Sequence, residues 1–184
     1  MKAELRDITR PLTEAIVCPA NGIGVMSRGA ARSIAEIAGP DIELEARAIS
    51  REAGAPLEAG TCYATRPYKL ARRGVKRVYH VVTIKYPGGV ASLDSVNKGI
   101  RAVFDRAVKD KVKSIAIPGL GTGSGRLDKG SVARMLVPIA RNYSHAMEIK
   151  FADLDKEFIN ELDFLLGGEK QHEEQAEHPR FGSQ

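Results

Sequence analysis

The sequence predicts an α/β layer fold with a mostly central, partly parallel sheet. Three observations lead there. Ala15-Ile16-Val17-Cys18, Val78-Tyr79-His80-Val81-Val82 and Ser114-Ile115-Ala116-Ile117 are short, nearly continuous apolar runs of the kind buried on both faces. Helix-like stretches with apolar residues at steps of three and four alternate with them. Finally, 184 residues with 43% hydrophobic and 28% charged side chains form an ordinary globular balance. One domain of that size buries about 70% of its unfolded surface without disulfides or metal.

The elements follow in order. Lys2–Thr9 and Ala15–Cys18 read as strands. After Asn21-Gly22-Ile23-Gly24-Val25, a helix from about Ser27 to Ala38 is stopped by Gly39-Pro40. Asp41 has the character of an N-cap for a second helix reaching Ala53, closed by Gly54. Gly60–Arg66 and Lys76–Ile84 are strand candidates, and Ser92–Lys109 is the cleanest helix, with Leu93, Val96, Ile100, Val103 and Ala107 on one face. The strand Ser114–Ile117 runs into a glycine-rich loop, then a helix starts near Asp128, with Pro138 expected to bend or end it. Glu148–Ala152 is a last strand and Asp155–Leu166 a last helix. Residues 1–166 form the domain, and the polar, aperiodic segment 167–184 reads as a disordered tail.

Two glycine-rich loops each leave the carboxyl end of a buried strand and feed a helix: Pro19–Gly29 and Gly119–Gly125. That edge of an open α/β sheet is where ligands bind, and glycines there let main-chain N–H groups approach a phosphate. Two such loops facing one another suit a diphosphate. Neither has the Gly-Lys-Ser/Thr ending of a nucleotide-hydrolysing loop, and the second sits late in the chain for a dinucleotide fingerprint.

With these loops, Asp7-Ile8-Thr9 and Ala15-Ile16-Val17-Cys18-Pro19-Ala20-Asn21 complete three ordered motifs. Together they resemble the macro domains, which bind ADP-ribose, over all of the chain but the tail. The resemblance implies a three-layer α/β/α sandwich with a mixed central sheet. It assigns Asp7 to the adenine amino group, which a carboxylate accepts, and Ile8 to a main-chain N–H and apolar contact with the ring. Asn21, following Ala20, corresponds to the residue contacting the distal ribose. Gly22, Gly24 and Val25 would form the first loop, and Gly119, Gly121, Thr122, Gly123, Ser124 and Gly125 the second, around the diphosphate.

Departures from the family pattern bear on catalysis. Cys18 stands where common hydrolase members carry asparagine, and Val25 is followed by Met26-Ser27-Arg28-Gly29 with no acid to organise water. Gly125 replaces the usual aromatic. The loops look more like a branch that includes antitoxin-type enzymes removing ADP-ribose from DNA. Ala35 and Gly125 occupy the places where its glutamate-cleaving members use lysine and aspartate. The resemblance leans toward an ADP-ribosyl hydrolase acting on protein, nucleic acid or ADP-ribose esters. A non-catalytic reader and a basic nucleic-acid-binding module remain open alternatives. Asn21 and Asp128 are the catalytic candidates, although Asp128 equally suits a helix cap, and His80 suits a core position.

No metal or other cofactor is implied: Cys18 and Cys62 have neither a CxxC spacing nor paired histidines. They read as free thiols in a reducing cytoplasm, with a reactive Cys18 as the alternative. Charge is uneven. Residues 1–166 hold 26 bases against 19 acids, whereas 167–184 hold two against four. That excess favours anionic partners: ADP-ribose, ADP-ribosylated macromolecules or nucleic acid. No apolar run is long enough for a membrane span.

Overall fold

The computed structural model describes residues 1–10 and 12–176, with side chains through Gly167. Among these residues, six strands and five α-helices follow one another. They are β1 (Lys2–Leu5), β2 (Ala15–Asn21), α1 (Gly29–Ala38), α2 (Asp41–Glu52), β3 (Cys62–Thr65), β4 (Arg77–Ile84), α3 (Leu93–Lys109), β5 (Ser114–Ile117), α4 (Lys129–Arg141), β6 (Glu148–Asp153) and α5 (Lys156–Ala176). A 3-10 turn, Tyr68–Arg73, precedes β4.

The sheet order is β1-β6-β5-β2-β4-β3. Every neighbouring pair is parallel except β3 with β4. Alternation along β2 divides the core. Ala15 and Val17 pack with the cluster that includes Val96, Phe104, Leu136 and Phe158 of α3, α4 and α5. Ile16 and Cys18 pack with Ile34, Ile42 and Ala46 of α1 and α2. Helices therefore cover both faces, giving the three-layer α/β/α sandwich with a mixed sheet. No helix among the described residues is long and apolar enough to cross a membrane.

Several boundaries differ from the sequence expectation. β1 stops at Leu5 because Asp7 accepts hydrogen bonds from the Thr9 amide (2.9 Å) and hydroxyl (2.5 Å), turning the chain out of the strand. Asp41 is the first helical residue of α2, not its cap; Pro40 occupies that place, and Asp41 and Glu43 complement the helix dipole. Ser92 does cap α3, through a capping box with Ser95. Pro138 does not end α4, which runs to Arg141. α5 continues past Leu166 to Ala176, carried through two glycines by a following run of Glu, Lys and Gln. The rest of the predicted tail, 177–184, lies outside the described residues.

The topology turns back on itself between β2 and β5. The chain leaves β2 through α1 and α2 toward β4, then crosses by α3 to β5 and continues away through α4 to β6. The loops after β2 and β5 thus splay to opposite faces and open a crevice at the carboxyl edge.

Candidate functional site

A cleft of about 310 Å³ fills that crevice. It runs along the carboxyl edge in strand order. Asp7 and Ile8 follow β1, Asp153–Asp155 leave β6, Gly119–Gly125 leave β5, Ala20 to Ala31 leave β2, and Thr83–Gly88 end β4. Of the residues assigned to the ligand from sequence, Asp7, Ile8, Ala20, Asn21, Val25, Gly119, Gly121, Thr122, Gly123, Ser124 and Gly125 line it.

Gly22 and Gly24 do not line the cleft. A Cβ on Gly22 would lie 2.3 Å from the Leu57 carbonyl oxygen and 2.7 Å from that of Lys85. Gly24 has φ +74° and sits against the main chain of Ala46 and Arg47, where a Cβ would come within 2.7 Å. These glycines let the first loop press against backbone behind it, so their role is to shape the loop.

Asn21 has a similar task. Its Nδ2 donates to the Val25 carbonyl (2.8 Å), while its Oδ1 accepts from the amides of Ile23 and Val25, both at 3.2 Å. The Gly24 amide donates to the Asn21 carbonyl, and that of Gly22 to Ile84 and Lys85. Every amide from Gly22 to Val25 is therefore spent inside the protein.

The free donors lie elsewhere. Among the described residues, the amides from Gly121 to Gly125 donate to no protein acceptor, although the loop is closed by bonds to its carbonyls from Ala91, Arg126 and Leu127. Opposite them, α1 begins with no side-chain cap, and its first residues Gly29, Ala30 and Ala31 line the cleft. A second loop of open N–H groups facing an uncapped helix N-terminus can hold an anion. The Arg28 side chain, also lining the cleft, has no hydrogen bond or ion pair among the described residues.

At the β1 end, burial works against ionisation of Asp7, but hydrogen bonds from the Thr9 hydroxyl and amide and from Ser33 outweigh it and hold the carboxyl below its ordinary pKa. Asp7 is thus an anion near neutral pH. Sequence reasoning missed Asp153 and Asp155. Asp153 ends β6, and its Oδ2 accepts from the Gly119 amide (2.8 Å) while Oδ1 accepts from Asp155 (2.9 Å), tying the second loop to the start of α5. Asp155 is held ionised chiefly by its hydrogen bond with Lys129, at 2.7 Å. No motif marked these acids; only their place after an apolar strand could have.

Asp128 lies outside the cleft lining. It caps α4, accepting from the amide (2.8 Å) and hydroxyl (2.6 Å) of Ser131. His80 is fully buried, bonded through Nε2 to the Thr65 hydroxyl and stacked on Tyr63. Cys18 is buried away from the cleft with its thiol pushed well up by desolvation, and burial raises Cys62 to about 11. Both are free, and no cluster of three or more His, Cys, Asp or Glu among the described residues could hold a metal.

The fold and cleft define a class: an α/β/α sandwich with a cleft, lined by open main-chain amides, at the switch point of its sheet. The family model for the Macro domain matches residues 17–136. An uncharacterized protein of Aquifex aeolicus is 33% identical over 162 residues, 87% of this chain and 93% of that protein. The macrodomain of Trypanosoma brucei in complex with ADP-ribose superposes with a TM-score of 0.74 at 22% identity, covering 90% of this chain and 68% of the other. The macrodomain of Mycobacterium tuberculosis DarG also gives 0.74 at 22% identity, covering 83% and 96%. The chain belongs to the macro domain family.

Proposed function

We propose that this protein binds ADP-ribose in the cleft and recognises it on ADP-ribosylated macromolecules. One observation carries the proposal. The anionic Asp7, the open amides of Gly121–Gly125 and the uncapped start of α1 line a single cavity in that order along the sheet edge. Adenine lies at the β1 end against Asp7 and Ile8, the diphosphate between the second loop and α1, and the distal ribose toward Asn21, Val25 and the β4 end. Two free thiols suit a reducing, cytoplasmic setting.

Recognition is favoured over cleavage by where the acids lie. Each carboxylate lining the cleft, Asp7, Asp153 and Asp155, comes from the β1 and β6 end; the β2 and β4 segments contribute Asn21, Ser27, Arg28 and Thr83. No protein carboxylate among the described lining residues stands ready to activate water beside the distal ribose. Hydrolysis there would rest on the bound diphosphate to orient the water.

Calorimetric titration with ADP-ribose tests the binding. Asp7→Ala is expected to weaken it by about 1.5–3 kcal/mol, the worth of a charged hydrogen bond. Unchanged affinity in that variant removes the adenine assignment, and absence of heat with the native protein removes the proposal. Mass spectrometry after incubation with ADP-ribosylated protein and DNA is expected to find the adducts intact; released ADP-ribose makes the protein a hydrolase.

A further inference from the structure

The edge of the sheet opposite the cleft carries the protein's other organised charge. Arg72, Lys76 and Arg77 lead into β4, and Lys109, Lys111 and Lys113 lead into β5; all six are exposed. Sheet register brings the two segments together. Arg77 pairs with Ala15 at the start of β2, and Ala15 pairs on its other side with Ile115. Glu14 knits them: its Oε1 holds Lys76 at 2.6 Å and its Oε2 accepts from the Lys113 amide at 2.9 Å. Of the other nearby acids, Asp110 is bonded to the Tyr79 hydroxyl at 2.8 Å, and Glu148, whose amide donates to the Lys113 carbonyl, is paired with Lys150 at 3.5 Å. The side chains of Arg72, Lys109 and Lys111 have no hydrogen bond or ion pair among the described residues.

Spacing makes this more than general basicity. The two rows flank β2, so they stand two strand spacings apart, about 10 Å. That separation is of the same order as the roughly 12 Å width of a duplex major groove, and the long side chains reach outward from it. The length of β2 sets these cations about 20 Å from the cleft, too far to touch a ligand there. Lys111, two residues past the end of α3, has φ +57°, the left-handed conformation that glycine ordinarily fills, so glycine fits the backbone there.

We propose that this edge is a docking surface for the phosphate backbone of a duplex nucleic acid, separate from the ADP-ribose cleft. The two segments grip phosphates on either side of a groove, without reading bases. An ADP-ribosylated acceptor lying on or beside nucleic acid would then be engaged at two places. The surface does not depend on what the cleft binds.

Fluorescence anisotropy with a labelled DNA duplex of about 20 base pairs, between about 50 and 200 mM salt, tests it. The full chain is expected to bind, with affinity falling steeply as salt rises. A variant combining Arg77→Gln, Lys109→Gln, Lys111→Gly and Lys113→Gln is expected to bind at least about tenfold more weakly at low salt and to flatten the salt dependence, by nearly one unit of slope per lost contact. A control with equal charge loss elsewhere, Arg32→Gln, Lys98→Gln, Arg134→Gln and Lys156→Gln, should retain most of the binding. Both should keep the native response to ADP-ribose, which separates this test from that of the cleft. Lys111→Gly alone should raise the melting temperature while weakening the duplex. The proposal is overturned if the native chain ignores the duplex, if the control loses as much as the edge variant, or if excess ADP-ribose displaces the duplex. It is equally overturned if vesicles containing phosphatidylserine bind to this edge while the duplex does not.

Discussion

Replacing Asn21 by alanine separates two roles that the sequence leaves superimposed. In the structure the side chain, 9% exposed, makes three hydrogen bonds within its own loop: one to the Val25 carbonyl and two from the amides of Ile23 and Val25. Alanine leaves one acceptor and two donors unpaired in a part-buried turn. At about 1 kcal/mol net for each, somewhat less where water can enter, the expected loss is about 2–3 kcal/mol of folding stability. Urea denaturation measures it directly, and an unchanged m-value would show that the unfolded state is not responsible. Calorimetry on the folded variant should still show ADP-ribose binding, since the open amides of Gly121–Gly125 are untouched. Native stability together with abolished binding would refute the reasoning and make Asn21 a ligand contact first.

Three further outcomes follow from the same geometry. Gly22→Ala drives a Cβ onto the carbonyls of Leu57 and Lys85, both main chain, and should cost about 3 kcal/mol or more by denaturation; a neutral result would contradict the close approach. Desolvation lowers the fully buried His80 to about 3 from 6.5, so the unfolded chain takes up its proton first as pH falls. Stability from this group is whole above pH 6.5 and lost progressively toward pH 3, by about 2 kcal/mol at pH 5. His80→Gln should remove that slope from a pH series of melts; an unaltered slope assigns the acid sensitivity to other groups. Asp128→Ala takes the cap from α4 and should lower the melting temperature without altering ADP-ribose binding; a change in binding would return Asp128 to the site.

The strands buried on both faces were legible because they are apolar throughout, and Leu93–Lys109 because its apolar residues recur at steps of three and four. The switch point was legible as two glycine-rich loops after two such strands. What a glycine faces is not written in its identity. Gly22 and Gly24 meet backbone behind the loop, whereas Gly121 and Gly123 line the cleft, and the difference lies in contacts with residues 46, 57 and 85 far along the chain. Asp153 escaped notice for a related reason. It is a single acid after an apolar strand, and its importance comes from a hydrogen bond to Gly119, which sheet pairing alone creates. The early end of β1 was hidden in a local competition that Asp7 wins by bonding Thr9.

The pairing of β1 with β6, Leu5 beside Asp153, joins the first and last strands of the sheet at the end of the cleft where we propose that the purine sits. Synthesis delivers Asp7 well before its neighbouring strand β6, so in the proposed arrangement affinity for the nucleotide requires both to be in place. In that arrangement a nascent or clipped polypeptide lacking β6 would keep the open amides of the second loop yet have no partner strand to hold Asp7 in place. Once filled, the seat works in reverse: a ligand touching both termini of the sheet opposes peeling of its outermost strand, and proteolysis there should slow as occupancy rises.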